Sequence, residues 1–506
     1  MLATITSTGI FGLDTYKVEV EVHIARGLPS FQIVGLPDQL LKESRERVRA
    51  AIINSGFEFP SRRITANLAP AGIKKSGALY DLPIALGIIS ACMKIKVEHL
   101  ADTVFIGELA LDGTLRGING VLPIVEFALK NDMKIVLPQA NRQEALLIKG
   151  VKVTGVKTLY EAVEYIRGEF AGYTEPIEIK TSKTNVYPSD TDFSMITGHT
   201  LAKRALEIAA SGRHNILLVG PPGVGKSLLS QSICTILPEI SITESLQTTK
   251  IYSIAGLLPQ DSPLINYRVF RNPHHTISFV GMIGGGKDVI PGEVSLAHNG
   301  VLFLDELPEF QRKTLEVLRQ PMENGEVLIS RAAKTVKYPA DFLLIAAMNP
   351  CPCGYFGDVN KKCTCSPSQI DRYIGRISGP LLERIDLQIE VTRIQIDVDI
   401  DTASETSSEV RKRVERAREI QMRRNRSRWN SRISRKEALE LFKVNKNALN
   451  LLKKITTEMN LSMRSFLKII RIARTIADLE TKEEVKDRDI LEASGYRLLD
   501  RKLWRF

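Results

Sequence analysis

No stretch of about 20 uncharged apolar residues occurs in this chain of 506 residues, so no membrane-spanning helix is expected. The opening Met1-Leu-Ala-Thr-Ile-Thr-Ser7 has no basic region ahead of an apolar core, and no secretory leader is expected. Six cysteines are too few to staple so long a chain. That excludes a disulfide scaffold and makes the cytoplasm the expected compartment. No internal repeat is found.

What the chain does have is length, apolar content and positive charge. At about 150 residues per domain the length suggests roughly three domains. Hydrophobic residues make up 43%, enough for a sizeable core. The net charge of +11 is unevenly placed: residues 396–506 carry 27 Lys and Arg against 18 Asp and Glu. The excess concentrates in Arg411–Lys436, where 12 basic residues face only Glu415 and Glu419. Such a stripe attracts polyanions by counterion release, and contact with nucleic acid is the expectation. A solvated helix face is the alternative.

The most specific string is Gly220-Pro221-Pro222-Gly223-Val224-Gly225-Lys226-Ser227, which reads G-x-x-x-x-G-K-S. It follows an apolar run, Asn215-Ile-Leu-Leu-Val219, and precedes a helix-compatible run opened by Leu228. Strand, glycine loop and helix is the context that binds nucleotide phosphates: backbone N–H groups approach them and the helix N-terminus favours their charge. Lys226 is expected to reach the β- and γ-phosphates of ATP, and Ser227 to hold Mg²⁺. A second motif, Gly300-Val-Leu-Phe-Leu-Asp305-Glu306, is an apolar strand that ends on two carboxylates. Asp305 is expected to hold the metal through water and Glu306 to polarise the attacking water.

Around these motifs the chain divides into residues 1–170, a polar linker at 171–189, a nucleotide module at 190–395, and a basic, mostly helical segment at 396–506. In the first part, Lys17-Val-Glu-Val-Glu-Val-His23 alternates as a half-buried strand. Helices are predicted over 40–53 and 82–92, and strands over 63–68, 103–107 and 134–137. The nucleotide module predicts a parallel, doubly wound sheet, with further strands at 342–347 and 387–391. Leu461–Leu479 predicts an amphipathic helix with Met463, Phe466, Leu467, Ile470, Ala473 and Ile476 on or near one face.

Cys351, Cys353, Cys363 and Cys365 form C-x-C, nine residues, C-x-C. Four thiolates within 15 residues can meet the tetrahedral demand of Zn²⁺, and all four positions filled by protein imply a structural ion. Free cysteines beside the nucleotide site are the alternative. Cys92 and Cys234 lie in apolar surroundings and read as core.

Five long strings give the chain a family resemblance over essentially its whole length. They are Gly9-Ile-Phe-Gly-Leu13, Gly35-Leu-Pro-Asp38, Arg271-Asn-Pro-His-His-Thr-Ile-Ser278, Ala347-Met-Asn-Pro-Cys-Pro-Cys-Gly354 and Gly375-Arg-Ile-Ser-Gly-Pro-Leu-Leu-Glu-Arg-Ile-Asp386. The chain resembles the ComM/YifB group of Mg-chelatase-like AAA+ proteins. The resemblance implies an α/β protein with a Lon-protease-like or RadA-like N-terminal domain, a central AAA+ phosphate-loop domain and a C-terminal helical lid. It also implies an ATPase that assembles as a homo-oligomeric ring, a hexamer, on branched or single-stranded DNA and drives branch migration.

The same resemblance implies roles for three further residues. Asn349 falls at the polar sensor that orients water or reads the γ-phosphate. Arg384 falls at the arginine finger for the neighbouring subunit's site, and Arg464 at a second sensor on the lid, with Arg471 as the other candidate. Two insertions resemble the helicase branch. Residues 250–299 would project loops toward a ring pore; His274 and His275 there read as loop packing rather than metal ligands. Residues 325–336 read as a β-hairpin whose Arg331, Lys334 and Lys337 either touch a nucleic-acid backbone or are solvated.

In the N-terminal part Asp81 stands where the Lon-type protease has its serine, and Ser76 and Lys74 do not match a Ser–Lys dyad, so no proteolysis is expected. Arg62, Arg63, Lys74 and Lys75 are candidates for a basic channel. A chelatase-type or unfoldase-type protein-remodelling motor is the alternative function. Its usual companion string D-x-S-x-S is missing, since Asp192-Phe-Ser-Met-Ile196 does not fit it.

Overall fold

The computed structural model describes residues 1–73, 75, 77–173, 192–259, 262–286, 289–331, 334–358, 360–393 and 405–497. Most of the linker, Lys74, Ser76 and the last nine residues lie outside the described residues.

The N-terminal part is built on strand alternation. In the strand Asp14–Ala25, Val18, Val20, Val22 and Ile24 are buried while Lys17 and His23 face out. Two-residue periodicity commits one face to the core. That strand sits in a four-stranded sheet with Leu2–Phe11, Arg63–Ala69 and Ser30–Val34. The helix Asp81–Met93 packs on the sheet and is buried from Asp81 to Ala91. The helix Gln39–Asn54 is started by Asp38, whose carboxylate accepts from the Leu41 N–H at 2.8 Å. A separate parallel sheet joins Thr103–Phe105, Lys134–Pro138 and Val153–Val156.

The central part carries a five-stranded, all-parallel sheet in the order Phe270–Arg271, Val301–Leu304, Leu343–Met348, Ile216–Val219, Leu387–Glu390. Every residue of the three middle strands is buried. Helices cover both faces, so these strands need unbroken apolar sequence rather than alternation. Their carboxyl ends share one edge. The phosphate loop, Asp305 and Asn349 therefore all leave the sheet from the same side.

The C-terminal part is helical. The helix Ser407–Arg424 opens with a capping box, Thr406 against Glu409. The helix Met463–Leu479 buries Phe466, Ile470, Ala473 and Ile476, as the amphipathic pattern predicts. Met463 does not follow the pattern: it is exposed at the first position of the helix.

One buried ion pair joins the helix Ile242–Ala255 to the sheet. Arg268 donates to Glu244 at 3.0 and 3.1 Å, and Arg418 approaches the same carboxylate at 3.5 Å. Burial alone would raise the Glu244 carboxyl, but Arg268 outweighs it and holds it down to about 2. A depressed folded value contributes stability above the unfolded carboxylate range, about pH 4.3, and that contribution is lost as the pH falls toward 2. Glu244→Gln removes the charge facing Arg268 and is expected to cost about 3 kcal/mol at neutral pH. Thermal unfolding of the two proteins checks this, and the gap between them is expected to narrow below pH 4.

Candidate nucleotide site

The glycine loop turns sharply between the strand Ile216–Val219 and the helix Lys226–Ile236. Gly225 caps that helix with φ of 84°, a left-handed conformation that a Cβ would strain. The Lys226 ammonium donates to the carbonyls of Gly220 at 2.7 Å and Pro221 at 2.8 Å, and to Asn349 Oδ1 at 3.1 Å. Burial lowers its pKa from the usual lysine value, against the opposing carboxylates of Asp305 and Glu306. Ser227 Oγ donates to Asp305 Oδ2 at 2.9 Å.

Lys226, Ser227, Asp305 and Asn349 are thus brought together from three strands. A cation, a hydroxyl and a carboxylate at a helix N-terminus suit a phosphate and a hard, oxygen-seeking cation, so this donor set fits Mg²⁺ with a nucleoside triphosphate. In the loop, Val224 is buried, while Pro222, Gly223 and Leu228 are exposed.

Glu306 follows Asp305 with φ of 51°, and its N–H donates to Asp305 Oδ1 at 2.9 Å. A non-glycine residue held there turns its side chain out of the strand direction, an arrangement found at functional sites. Its carboxylate is solvent-accessible and lies 3.6 Å from His275 Nδ1. The His275 ring stacks on His274 with centroids 4.1 Å apart. Loop packing describes His274 but not the placing of His275 beside Glu306. A sequence distance of 31 residues hid that pairing.

Arg384 and Arg464 do not join this cluster. Both line a groove at the opposite, amino-terminal edge of the sheet, together with Asn215, Glu323, Glu383 and Arg471. Asn215 Nδ2 donates to the Arg384 carbonyl at 3.4 Å, and Asp386 N donates to the Asn215 carbonyl at 2.9 Å. From Asn215 to Gly220 the strand spans about 16 Å at 3.3 Å per residue. The guanidinium of Arg384 is held by Glu323 and by the Pro380 carbonyl at 2.6 Å. Arg464 donates to Glu383 Oε2 at 3.1 Å, whereas Arg471 is tied to the Ile433 carbonyl at 2.8 Å. Arg464 is therefore the more available of the two candidates.

The basic stripe is less free than its sequence implies. Arg413 pairs with Glu207 and Glu405, Arg424 with both oxygens of Asp478, Arg428 with Glu437, and Arg432 with Asp341. Arg418 faces Glu244, and Arg411 donates to the Thr235 carbonyl. Four of the twelve charges, Arg411, Arg413, Arg418 and Arg432, thus hold the helical part onto the central part, while Arg424 and Arg428 pair within the helical part. Lys412, Arg416, Arg423, Arg426, Arg435 and Lys436 remain exposed.

The predicted hairpin is present, pairing Glu326–Arg331 with Lys334–Pro339. Lys337 pairs with Glu326 and remains exposed. Lys75 is buried with its ammonium on the Pro70 carbonyl, so it offers no charge to a channel. Asp81 is also buried and accepts from Arg47 Nε at 2.9 Å.

The four clustered cysteines lie beside the nucleotide site, on the loop that follows Asn349. Their sulfurs all sit within 4.8 Å of one another. Cys234 is buried and Cys92 half-buried.

Residues 192–398 match the family described as magnesium chelatase, subunit ChlI; residues 20–141 match subunit ChlI of Mg-chelatase; and residues 404–497 match the ChlI C-terminal family. The chain is 41% identical to the competence protein ComM of Haemophilus influenzae, over 99% of this chain and 98% of that protein. The chain belongs to the ComM/YifB family of Mg-chelatase-like AAA+ proteins. YifB of Escherichia coli is 39% identical, again over 99% of this chain and 98% of its own length. More distant is the magnesium-chelatase 38 kDa subunit of Rhodobacter capsulatus, 24% identical over 41% of this chain and 61% of that subunit. The N-terminal strands and the five-stranded parallel sheet are those of an AAA+ protein of this family with a Lon-like part and a helical C-terminal part. Among the described residues no helix is long and apolar enough to cross a membrane.

Proposed function

We propose that this chain is an ATP-driven motor that works as a ring of identical subunits, a hexamer, around DNA and promotes branch migration during recombination or DNA uptake. The observation that carries the ring is the division of the site between two edges of one sheet. Lys226, Ser227, Asp305 and Asn349 occupy one edge, and Arg384 and Arg464 occupy the other. One chain cannot bring both sets to one phosphate. A neighbour placed head to tail can, and a repeated head-to-tail contact closes into a ring.

Bound Mg-ATP supplies the γ-phosphoryl group and the charge-neutralising cation. Lys226 then leaves its loop carbonyls for the phosphates, and Ser227 and Asp305 hold the cation, directly and through water. Glu306 orients and polarises the attacking water, with His275 fixing its carboxylate. Asn349 links the water to the γ-phosphate. Arg384 of one subunit stabilises the charge that develops on its neighbour's phosphates, and Arg464 acts from the same face. DNA as the substrate is supported by the full-length similarity to a competence protein and by the six exposed basic residues of the stripe.

The similarity to a magnesium-chelatase subunit favours one other reading, a motor that remodels a protein. ATP-dependent strand exchange on a labelled branched DNA, with Lys226→Ala as control, separates the two. Product that requires ATP and vanishes in the variant is expected. Rings that hydrolyse ATP but give no product would replace the DNA motor with the protein-remodelling one.

A further inference from the structure

We infer that Cys351, Cys353, Cys363 and Cys365 hold one zinc ion, and that the resulting knot clamps the loop after Asn349 onto the phosphate loop. The sulfurs have the spacing of a single-ion tetrahedron. Cys351 Sγ lies 3.3 Å from Cys353 Sγ and 3.7 Å from Cys363 Sγ, and Cys353 Sγ lies 3.5 Å from Cys363 Sγ. A Zn–S bond of about 2.3 Å requires a tetrahedral edge of about 3.8 Å. A disulfide would need about 2.05 Å, far inside these distances.

Backbone donors already face the sulfurs. Cys353 N–H points to Cys365 Sγ at 3.4 Å, and Cys365 N–H to Cys363 Sγ at 3.4 Å. Such donors stabilise thiolate charge around a bound ion. Four thiolates and no oxygen ligand select zinc or iron over magnesium or calcium. Four thiols release their protons to solvent as the ion binds, leaving a site of net negative charge beside Lys361 and Lys362. All four positions are filled by protein, so the ion does no chemistry of its own.

The clamp is seen at Gly354, one residue after the first cysteine pair. Its φ is 84°, and a Cβ built there would lie 2.7 Å from Pro222 Cδ and 3.8 Å from Asn349 Cγ. The zinc loop therefore touches the phosphate loop and the sensor asparagine at once. Cys351 is buried in the core under the sheet, with the other three packed against that core. This second half of the inference rests on residues 220–227 being the ATP site. The first half does not.

The test uses the full-length chain. Elemental analysis of the purified protein is expected to give one zinc per chain, retained through dialysis against EDTA and released by a mercurial. Cobalt replacement is expected to give the visible bands of a tetrahedral thiolate site. Cys363→Ser combined with Cys365→Ser is expected to contain no zinc. Gly354→Ala keeps all four cysteines, so it is expected to retain zinc yet bind a fluorescent ATP analogue about tenfold more weakly, because the new methyl displaces Pro222. Four freely reactive thiols with no stoichiometric metal overturn the site, and stoichiometric iron overturns the choice of ion. Unchanged nucleotide affinity in Gly354→Ala, alongside loss in Lys226→Ala, overturns the clamp. If Lys226→Ala itself binds ATP unimpaired, the nucleotide reading falls and the clamp with it, while the metal content still decides the site.

Discussion

Arg384→Ala is expected to slow ATP turnover by about 10³-fold, the lower end of what a finger arginine contributes, while ATP still binds. The side chain sits about one strand's length from its own phosphate loop, on the groove edge of the sheet. In its own subunit it therefore lies away from the phosphate loop. Its Glu323 partner is half-exposed, so losing that pair is expected to change stability by under about 1 kcal/mol. A decisive form of the experiment mixes Arg384→Ala with Lys226→Ala, each inactive alone. Mixed rings contain interfaces where an intact phosphate loop from one variant meets an intact arginine from the other. Turnover is expected to reappear on mixing. If it does not, although the subunits exchange, Arg384 does not act across an interface.

Glu306→Gln is the second large effect. Glutamine preserves the shape of the side chain and can keep the left-handed backbone, but it cannot take up proton density from water. Turnover is expected to fall by roughly 10²–10⁴-fold, the range for a lost general base. Nucleotide binding should survive, because Lys226 and Ser227 are untouched. Rapid filtration with labelled ATP and single-turnover kinetics check both halves. Loss of binding along with turnover would instead mean that Glu306 supports the loop and not the water.

The contrast between these residues shows what the sequence made legible. The strands 216–219, 301–304 and 343–348 were readable because a parallel sheet buried on both faces needs continuous apolar residues. The phosphate loop was readable because its chemistry is local: one glycine turn, one lysine and one serine on consecutive backbone. The pairing of the basic stripe was hidden for the opposite reason. Its counter-charges are remote in sequence: Glu207 pairs with Arg413 across 206 residues, and Asp478 pairs with Arg424 across 54. A window of 26 residues cannot see them. Lys75 misled in the same way, since an exposed-looking Lys-Lys-Ser-Gly turn folds its second lysine back onto Pro70. His275 reaches Glu306 only through the strand order, which places Phe270–Arg271 beside Val301–Leu304.

The opposite-edge placement of Arg384 and Lys226 has a topological consequence. If each working site is a seam between two subunits, a closed ring has as many working sites as subunits. A ring split at one seam, as it must be to admit a strand without free ends, has one fewer. The phosphate loop at the gap keeps its nucleotide unhydrolysed until the seam closes. Loading and turnover would then be interlocked, and the gap itself would act as the brake.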